Sequence, residues 1–355
     1  MEHRKQTAWI AMSGGVDSAV CALLSKEAGL DCRGVTMRLL NNEETEQSVR
    51  DAAAVCESLG MAHDTVSYET LFAEQVIEPF ARAYREGLTP NPCLACNRSL
   101  KFGALLSEAR LRGFDCVATG HYARVRYDGE RGRYLLCRAA DSQKDQSYVL
   151  YMLTQEQLSH VRFPLGEMTK AEARAVAEAH GLVNAHKKDS QDICFVPDGD
   201  YVSVIDRLAG KPMPCGDFVD TEGRVLGQHR GLYRYTVGQH KGLGLGIHTP
   251  LYVQALCPIK NTVVLGPAEG LYARHLVADG VNLIDCESMR DKRRLCAKVR
   301  YRHREAPAEA YVDADGLLHV IFDEPVRAIT CGQAVVLYDG DVVVGGGRIV
   351  EVRSE

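Results

Sequence analysis

Residues 9–24 read Trp9-Ile10-Ala11-Met12-Ser13-Gly14-Gly15-Val16-Asp17-Ser18-Ala19-Val20-Cys21-Ala22-Leu23-Leu24. The apolar run predicts a buried strand, Ser-Gly-Gly predicts a turn, and the apolar segment opened by Asp17-Ser18 predicts a helix. Gly14 and Gly15 tolerate positive φ and let backbone N–H groups approach an anion, to which the start of a helix adds unpaired donors and a positive dipole end. Phosphate is the expected guest. The turn has no Gly-Lys-Ser/Thr, so it is not a Walker A loop and brings no lysine of its own to the phosphates. The plain alternative is a glycine turn capped by Ser13 or Asp17.

Outward from this stretch, short apolar runs alternate with helical segments. Residues 32–37 and 63–67 read as strands, and Gln47 to Leu59, Leu71 to Tyr84 and Lys101 to Arg112 as helices. Cys116 to His121 reads as a strand running into a loop. This is an open, mainly parallel α/β sheet, in which ligands sit beyond the carboxyl ends of the strands, where Ser13, Met37 and Gly120 fall. A hairpin is expected around Asp128-Gly129, and a helix over 168–179 with Thr169 as cap, Glu172 three residues on and Gly181 beyond its end.

After Pro197-Asp198-Gly199 and a last helix over 201–208, the chain turns to short β-like runs between glycine turns, predicting two β-rich domains, the last a small barrel. We place domains at 1–200, 201–273 and 274–355. The 355 residues, 46% hydrophobic and 25% charged, suit a soluble multidomain protein. Met1 to Gln6 lacks the apolar core of a signal peptide and no run is long enough to span a bilayer, so a cytoplasmic location is expected. A net charge of −5 argues against non-specific coating of nucleic acid. The densest basic run is Arg290, Lys292, Arg293, Arg294, Lys298, Arg300, Arg302 and Arg304. Its last members alternate along an expected strand over 297–301 and would share a face suited to tracking phosphates.

Of thirteen cysteines, Cys21, Cys32, Cys56, Cys116, Cys137, Cys257, Cys286 and Cys331 sit among aliphatic residues as small core side chains. Cys93 and Cys96 do not: they lie in Thr89-Pro90-Asn91-Pro92-Cys93-Leu94-Ala95-Cys96-Asn97-Arg98, which the paired prolines predict to be a loop. The C-x-x-C spacing suits metal, a redox pair or a nucleophile. Cys194 follows Lys187-Lys188-Asp189-Ser190-Gln191-Asp192-Ile193, whose lysines favour a thiolate if they face it.

Six stretches then appear in order with Ser13 to Ser18: Thr89 to Pro92 with Cys96-Asn97, Lys101-Phe102, Ala118 to Ala123, Lys144 to Tyr148, Ser190 to Phe195 and Thr236 to Gly242. The set resembles the bacterial tRNA-specific 2-thiouridylases over residues 9 to about 350. The resemblance implies an adenine-nucleotide alpha-hydrolase fold, ATP with Mg²⁺ at Ala11, Met12, Ser13, Gly14, Gly15, Val16, Asp17, Ser18, Met37 and Gly120, and catalysis by Cys96 and Cys194. It implies tRNA contacts at Asn91, Pro92, Cys93, His121, Lys144, Asp145, Gln146, Arg300, Tyr301 and Gln333, a sulfur-relay or cysteine-desulfurase donor, and a monomer. The implied chemistry adenylates the uracil carbonyl and replaces it by sulfur from a Cys194 persulfide, which Cys96 resolves. Two departures stand out: Arg38 to Glu44 lacks the expected aromatic and acidic character, and Cys93 replaces the Asp of some members. Cys93, Cys96 and Cys194 would alternatively hold an iron–sulfur cluster. An ATP-dependent ligase or amidotransferase, and a non-catalytic metal or nucleic-acid binding module, are the remaining readings.

Overall fold

The computed structural model describes residues 4–187, 193–196, 199–246 and 250–353. Lys188, Asp189, Ser190, Gln191, Asp192, Pro197 and Asp198, part of the motif around Cys194, lie outside the described residues. The chain divides into two compact units, residues 1–76, 93–191 and 341–343 in one and 77–92, 192–340 and 344–355 in the other.

The first unit is built on β1 (Thr7–Ala11), β2 (Asp31–Arg38), β3 (His63–Ser67), β4 (Cys116–Thr119) and β7 (Val161–Arg162), in the order β3-β2-β1-β4-β7. Every pairing is parallel. Helix α1 (Val16–Glu27) buries Ala19, Cys21, Ala22 and Leu23 in a core with Ile10, Val55, Ala173 and Ala177. Its small side chains let the helix lie close to the sheet, which brings the residues just before it to the carboxyl edge. The hairpin of β5 (Arg124–Asp128) and β6 (Arg133–Cys137) forms as expected, and Cys137 pairs with Val342 at the start of a later strand. The helix Lys170–Ala179 carries the full Thr169/Glu172 capping box.

In the second unit, β8 (Gly216–Val219), β9 (Val225–His229), β10 (Tyr252–Cys257) and β11 (Thr262–Gly266) form a sheet in the order β10-β11-β8-β9 over Phe218, Leu232, Val253 and Leu265. β12 (Tyr272–Leu283), β13 (Arg293–Lys298), β14 (Ala306–Val312), β15 (Leu318–Arg327), β16 (Ala334–Asp339) and β17 (Val342–Arg353) follow in the order β12-β15-β14-β13-β16-β17. β12 also pairs with β17, closing a six-stranded barrel around Leu276, Ala308, Val320, Phe322, Val335 and Leu337. Closure removes both sheet edges.

Four expectations are corrected. Helix α2 spans Glu43–Ser58 and not Gln47 to Leu59, because Asn42 accepts from the Thr45 N–H at 2.9 Å and three acidic residues occupy the first turn. The helix expected over 71–84 is interrupted: Glu69–Phe72 passes through a π turn, Ala73–Ile77, into Glu78–Arg85. Pro79 has no N–H to give and crowds the preceding turn, which the wider turn relieves. The stretch expected to be a loop becomes helical at Pro92–Cys96 and continues through a π segment, Asn97–Leu105, to Leu106–Leu111. Proline is compatible with a helix when it stands first, where its missing N–H would have had no partner. Finally, β13 ends at Lys298 and residues 299–305 turn, so Arg300, Arg302 and Arg304 do not share a strand face.

Candidate nucleotide and sulfur-transfer site

The Ser13 to Ser18 loop lies at the carboxyl end of β1, beside the residues that follow β4. Ala11 closes β1, buried Met12 donates its N–H to the Val35 carbonyl at 2.7 Å, and Ser13 is exposed at the turn. Gly14 has φ 68°, and a Cβ there would stand 2.8 Å from the Ser48 carbonyl oxygen, so both conformation and space demand glycine. Ser18 Oγ donates to the Gly15 carbonyl at 2.9 Å and accepts from Ser13 N–H at 3.2 Å, pinning the turn to the first helical turn. Neither Ser13 nor Asp17 caps α1, whose N-cap is Gly15, with no side chain to close the first turn. Gly120 packs on the same point: a Cβ there would meet the Asp17 carbonyl carbon at 2.7 Å. Met37, near the end of β2, is half-buried.

Several contacts around the loop carried no sequence signal. Lys170 Nζ donates to Asp17 Oδ1 at 2.7 Å, and the Tyr122 hydroxyl donates to the same oxygen at 2.8 Å. Asn184 Nδ2 donates to the Gly14 and Gly15 carbonyls at 3.3 and 2.9 Å, and Lys187 Nζ reaches the Gly14 carbonyl at 3.2 Å and Asp51 at 2.8 Å. Lys187, expected as a thiolate-stabilising neighbour of Cys194, is thus engaged at the loop. The one detectable signal for Lys170 was its place directly after the Thr169 cap, which says where the helix starts and nothing about what the ammonium touches.

Cys93 and Cys96 stand three residues apart on one helical turn and so face the same way. Although Cys93 is partly open to solvent, the protein packed around both thiols pushes them above the ordinary thiol range, and Lys101 partly offsets this. Half-buried Asn91 and buried Pro92 precede them. Cys194 is exposed in a turn closed by Val196 N–H to Ile193 carbonyl at 2.8 Å, next to Phe195, whose ring meets Phe80 edge-on at 5.2 Å.

Among the described residues no three His, Cys, Asp or Glu side chains stand together as a cation site. Mg²⁺ that arrives with phosphate takes one or two carboxylates, and Asp17 is the loop's own. A cluster would take Cys93 and Cys96 as thiolates, and burial raises both thiols above their ordinary range.

Of the residues expected at tRNA, His121 is buried, with Nδ1 2.7 Å from Thr119 Oγ1 and its ring between Phe102 and Phe163; burial holds it neutral, well below the usual imidazole range. Asp145 is also buried, accepting from Ala139 N, Ser147 N and Ser147 Oγ, and Gln146 Oε1 accepts from Tyr122 N at 2.9 Å. These residues brace the segment after β4 rather than forming a solvated face. Lys144 is half-buried beside them. In the second unit Arg300 donates to the Val237 carbonyl at 3.2 Å and to Thr330 Oγ1, Lys298 lies 5.6 Å over the Tyr301 ring, and Gln333 Nε2 donates to the Thr89 carbonyl at 2.6 Å. Arg300 also lines a cleft of about 600 Å³ with Arg234, Arg327, Tyr201, Thr236 and Gln239, a cationic concavity the sequence did not announce.

A parallel sheet with a glycine loop at its carboxyl edge defines the first unit as a nucleotide-binding α/β domain, and residues 6–198 match the tRNA methyl transferase HUP domain family. Residues 205–267 match its PRC-barrel domain and 273–349 an aminomethyltransferase β-barrel domain. The chain is 50% identical to the tRNA-specific 2-thiouridylase MnmA of Moorella thermoacetica, over 97% of this chain and 99% of that one. It is 45% identical to the enzyme of the same name from Acetivibrio thermocellus, covering 97% and 99%, and 44% identical to that of Clostridioides difficile, covering 96% and 97%. The chain belongs to the tRNA-specific 2-thiouridylase family.

Proposed function

We propose that this protein is a tRNA-uridine 2-sulfurtransferase that activates the wobble uridine with ATP and delivers sulfur from a cysteine persulfide. The observation that carries this reading is a lysine-poor glycine loop at the edge of a parallel sheet in the same unit as a C-x-x-C helical turn, in a chain half identical to named thiouridylases along nearly its whole length.

The 2-carbonyl oxygen of uracil is a poor leaving group. Its attack on the α-phosphate breaks the α–β bond, releases pyrophosphate toward the Ser13 to Ser18 loop and leaves an adenylated base, electrophilic at carbon 2. The loop's N–H groups receive that charge, and Asp17 would hold the Mg²⁺ that accompanies ATP and would supply countercharge; Ala11, Met12, Met37 and Gly120 form the nucleotide's walls. The terminal sulfur of a Cys194 persulfide attacks carbon 2 and AMP departs. The Cys96 thiolate then attacks the Cys194 sulfur, so that the S–S bond breaks toward the base. Thiolated tRNA and a Cys96–Cys194 disulfide result, which a dithiol reductant reopens.

The base must leave the anticodon stack to be adenylated. Asn91, Pro92 and Cys93 are assigned to the pocket that takes it, Lys144, Gln146, Arg300, Tyr301 and Gln333 to tRNA contacts, and His121 and Asp145 to holding the segment beneath. A sulfur-relay or desulfurase partner loads Cys194, and the enzyme works as a cytoplasmic monomer. The test is mass spectrometry of tRNA nucleosides after incubation with ATP and a persulfide donor: an oxygen-for-sulfur gain at uridine is expected. ATP cleavage that depends on a small amine and not on tRNA would instead assign a ligase or amidotransferase.

A further inference from the structure

The loop that is to receive pyrophosphate carries an acid and no base, yet a dianionic or more highly charged leaving group beside Asp17 is repelled unless a cation is near. The structure brings one from 153 residues away in sequence. Lys170 is only 9% exposed, and its ammonium rests on Asp17 Oδ1 at 2.7 Å. Its base is fixed: Lys170 is the first residue of its helix, its N–H donates to Asp141 Oδ2 at 2.9 Å, and Thr169 and Glu172 close the capping box around it. The long stem leaves the tip movable.

Burying a lysine against a carboxylate is weak stabilisation, since desolvation offsets most of the attraction and an apolar residue would pack as well. The rest of the enclosure points the same way. Asn184 and Lys187 hold the Gly14 and Gly15 carbonyls from one side, and in planar trans peptides the N–H groups of Gly15 and Val16 therefore face the other. Among the described residues Asn184 Oδ1 is buried with no partner, so the contacts this amide makes to them orient the turn through its N–H groups.

We propose that Lys170 is a catalytic residue of the adenylation step, supplying to the departing pyrophosphate the positive charge that other phosphate loops carry within themselves, with Lys187 reinforcing it from behind the turn. Before ATP binds, Lys170 neutralises Asp17; as the α–β bond breaks and its electron pair goes to the bridging oxygen, the ammonium shares its hydrogen bonds with that product. This rests on the adenylation reading, but pyrophosphate binding needs neither tRNA nor sulfur, so the two fail separately.

The probe is inorganic pyrophosphate with Mg²⁺, titrated calorimetrically against the full-length protein, with AMP as control. Lys170→Met is expected to weaken pyrophosphate about tenfold or more, one lost charge-assisted contact, while AMP binding stays within about twofold, the scatter expected where no contact is lost. Lys170→Arg, which keeps the charge, should recover most of the affinity. Equal loss for AMP and pyrophosphate, or no loss for either, would make Lys170 a structural partner of Asp17 and overturn the proposal. Should Lys170→Met fail to fold, acylation of the wild-type protein decides: pyrophosphate must shield the Lys170 amine in peptide mass spectra and AMP must not. Identical labelling with both also overturns it.

Discussion

The two units present their candidate sites differently. In the first, the atoms assigned to the phosphates of ATP are backbone N–H groups on a loop of six consecutive residues, placed by a parallel sheet and one helix. In the second, the cationic cleft takes Arg234, Arg300 and Arg327 from separate strands and turns, and no two of them are neighbours in sequence. A site made of main chain is compact in sequence because the turn itself is the site, and its glycines announce it. A site made of side chains is scattered, since a 3-10 turn, a bend and a strand end each contribute one arginine and only the packed fold gathers them.

The sharpest way to break this contrast is at Asp17. Asp17→Ala is expected to lower tRNA-dependent AMP formation by about a thousandfold, the order found when a preorganised charge partner of a transition state is removed, with an unchanged thermal midpoint. A loss of less than tenfold, or unfolding, would place Asp17 in the architecture instead. Nearly as large is the effect at sulfur: Cys194→Ser and Cys96→Ser should each abolish 2-thiouridine while leaving adenylation intact. Only Cys194→Ser should refuse labelled persulfide sulfur. Thiolation by either variant would sink the division of roles.

Gly120 sharpens the comparison within the first unit. Gly120→Ala drives a methyl group to 2.7 Å from the Asp17 backbone, whereas a Cβ at Gly129, in the hairpin, meets nothing within 4 Å. The first should cost about 1–3 kcal/mol in stability or an equivalent loss of ATP affinity; the second should change neither in a melting curve or an ATP titration. Matching results at both positions would show that close approach does not shape the loop.

The second unit is tested by salt. Arg327→Ala should weaken tRNA binding, reduce the dependence of log Kd on log salt by about one, and leave ATP binding alone. An unchanged slope would remove the cleft from the tRNA path. The smallest effect concerns pH. Burial lifts the Cys96 thiol above its ordinary 9.0 and Lys101 pulls it down, so the resolving step should quicken as pH rises toward and past 9.0, the thiolate being the attacking form. Lys101→Met should shift that profile further alkaline and slow the step at pH 8, because the cation that favours the thiolate is gone. A profile that moves to lower pH would contradict the assigned direction.

Local chemistry was readable wherever one short segment decided the matter. The strand, glycine turn and helix of residues 7–27, the Asp128-Gly129 hairpin and the Thr169 cap depend on neighbours within a few residues and formed as their residues dictated. Misreadings arose where a single residue has two meanings. Pro92 would break a helix in its interior yet begins one here, and Asn42 is both a turn former and the cap that starts α2 four residues before Gln47. The strand expected over 297–301 stops at Lys298, because alternation of charged and uncharged residues fits an irregular turn as well as a strand.

By itself, the sequence determined the parallel sheet, the phosphate-accepting turn, the β-rich remainder and the three conspicuous cysteines, because hydrophobic period, glycine placement and cysteine context are properties of contiguous residues. Only the tertiary structure decided that Lys170 and Tyr122 meet at Asp17, that His121 and Asp145 are buried supports, that three arginines share one cleft and that the last six strands close. Those are contacts between residues separated by tens to hundreds of positions, and no local propensity encodes which distant charge a lysine will reach once the core has packed.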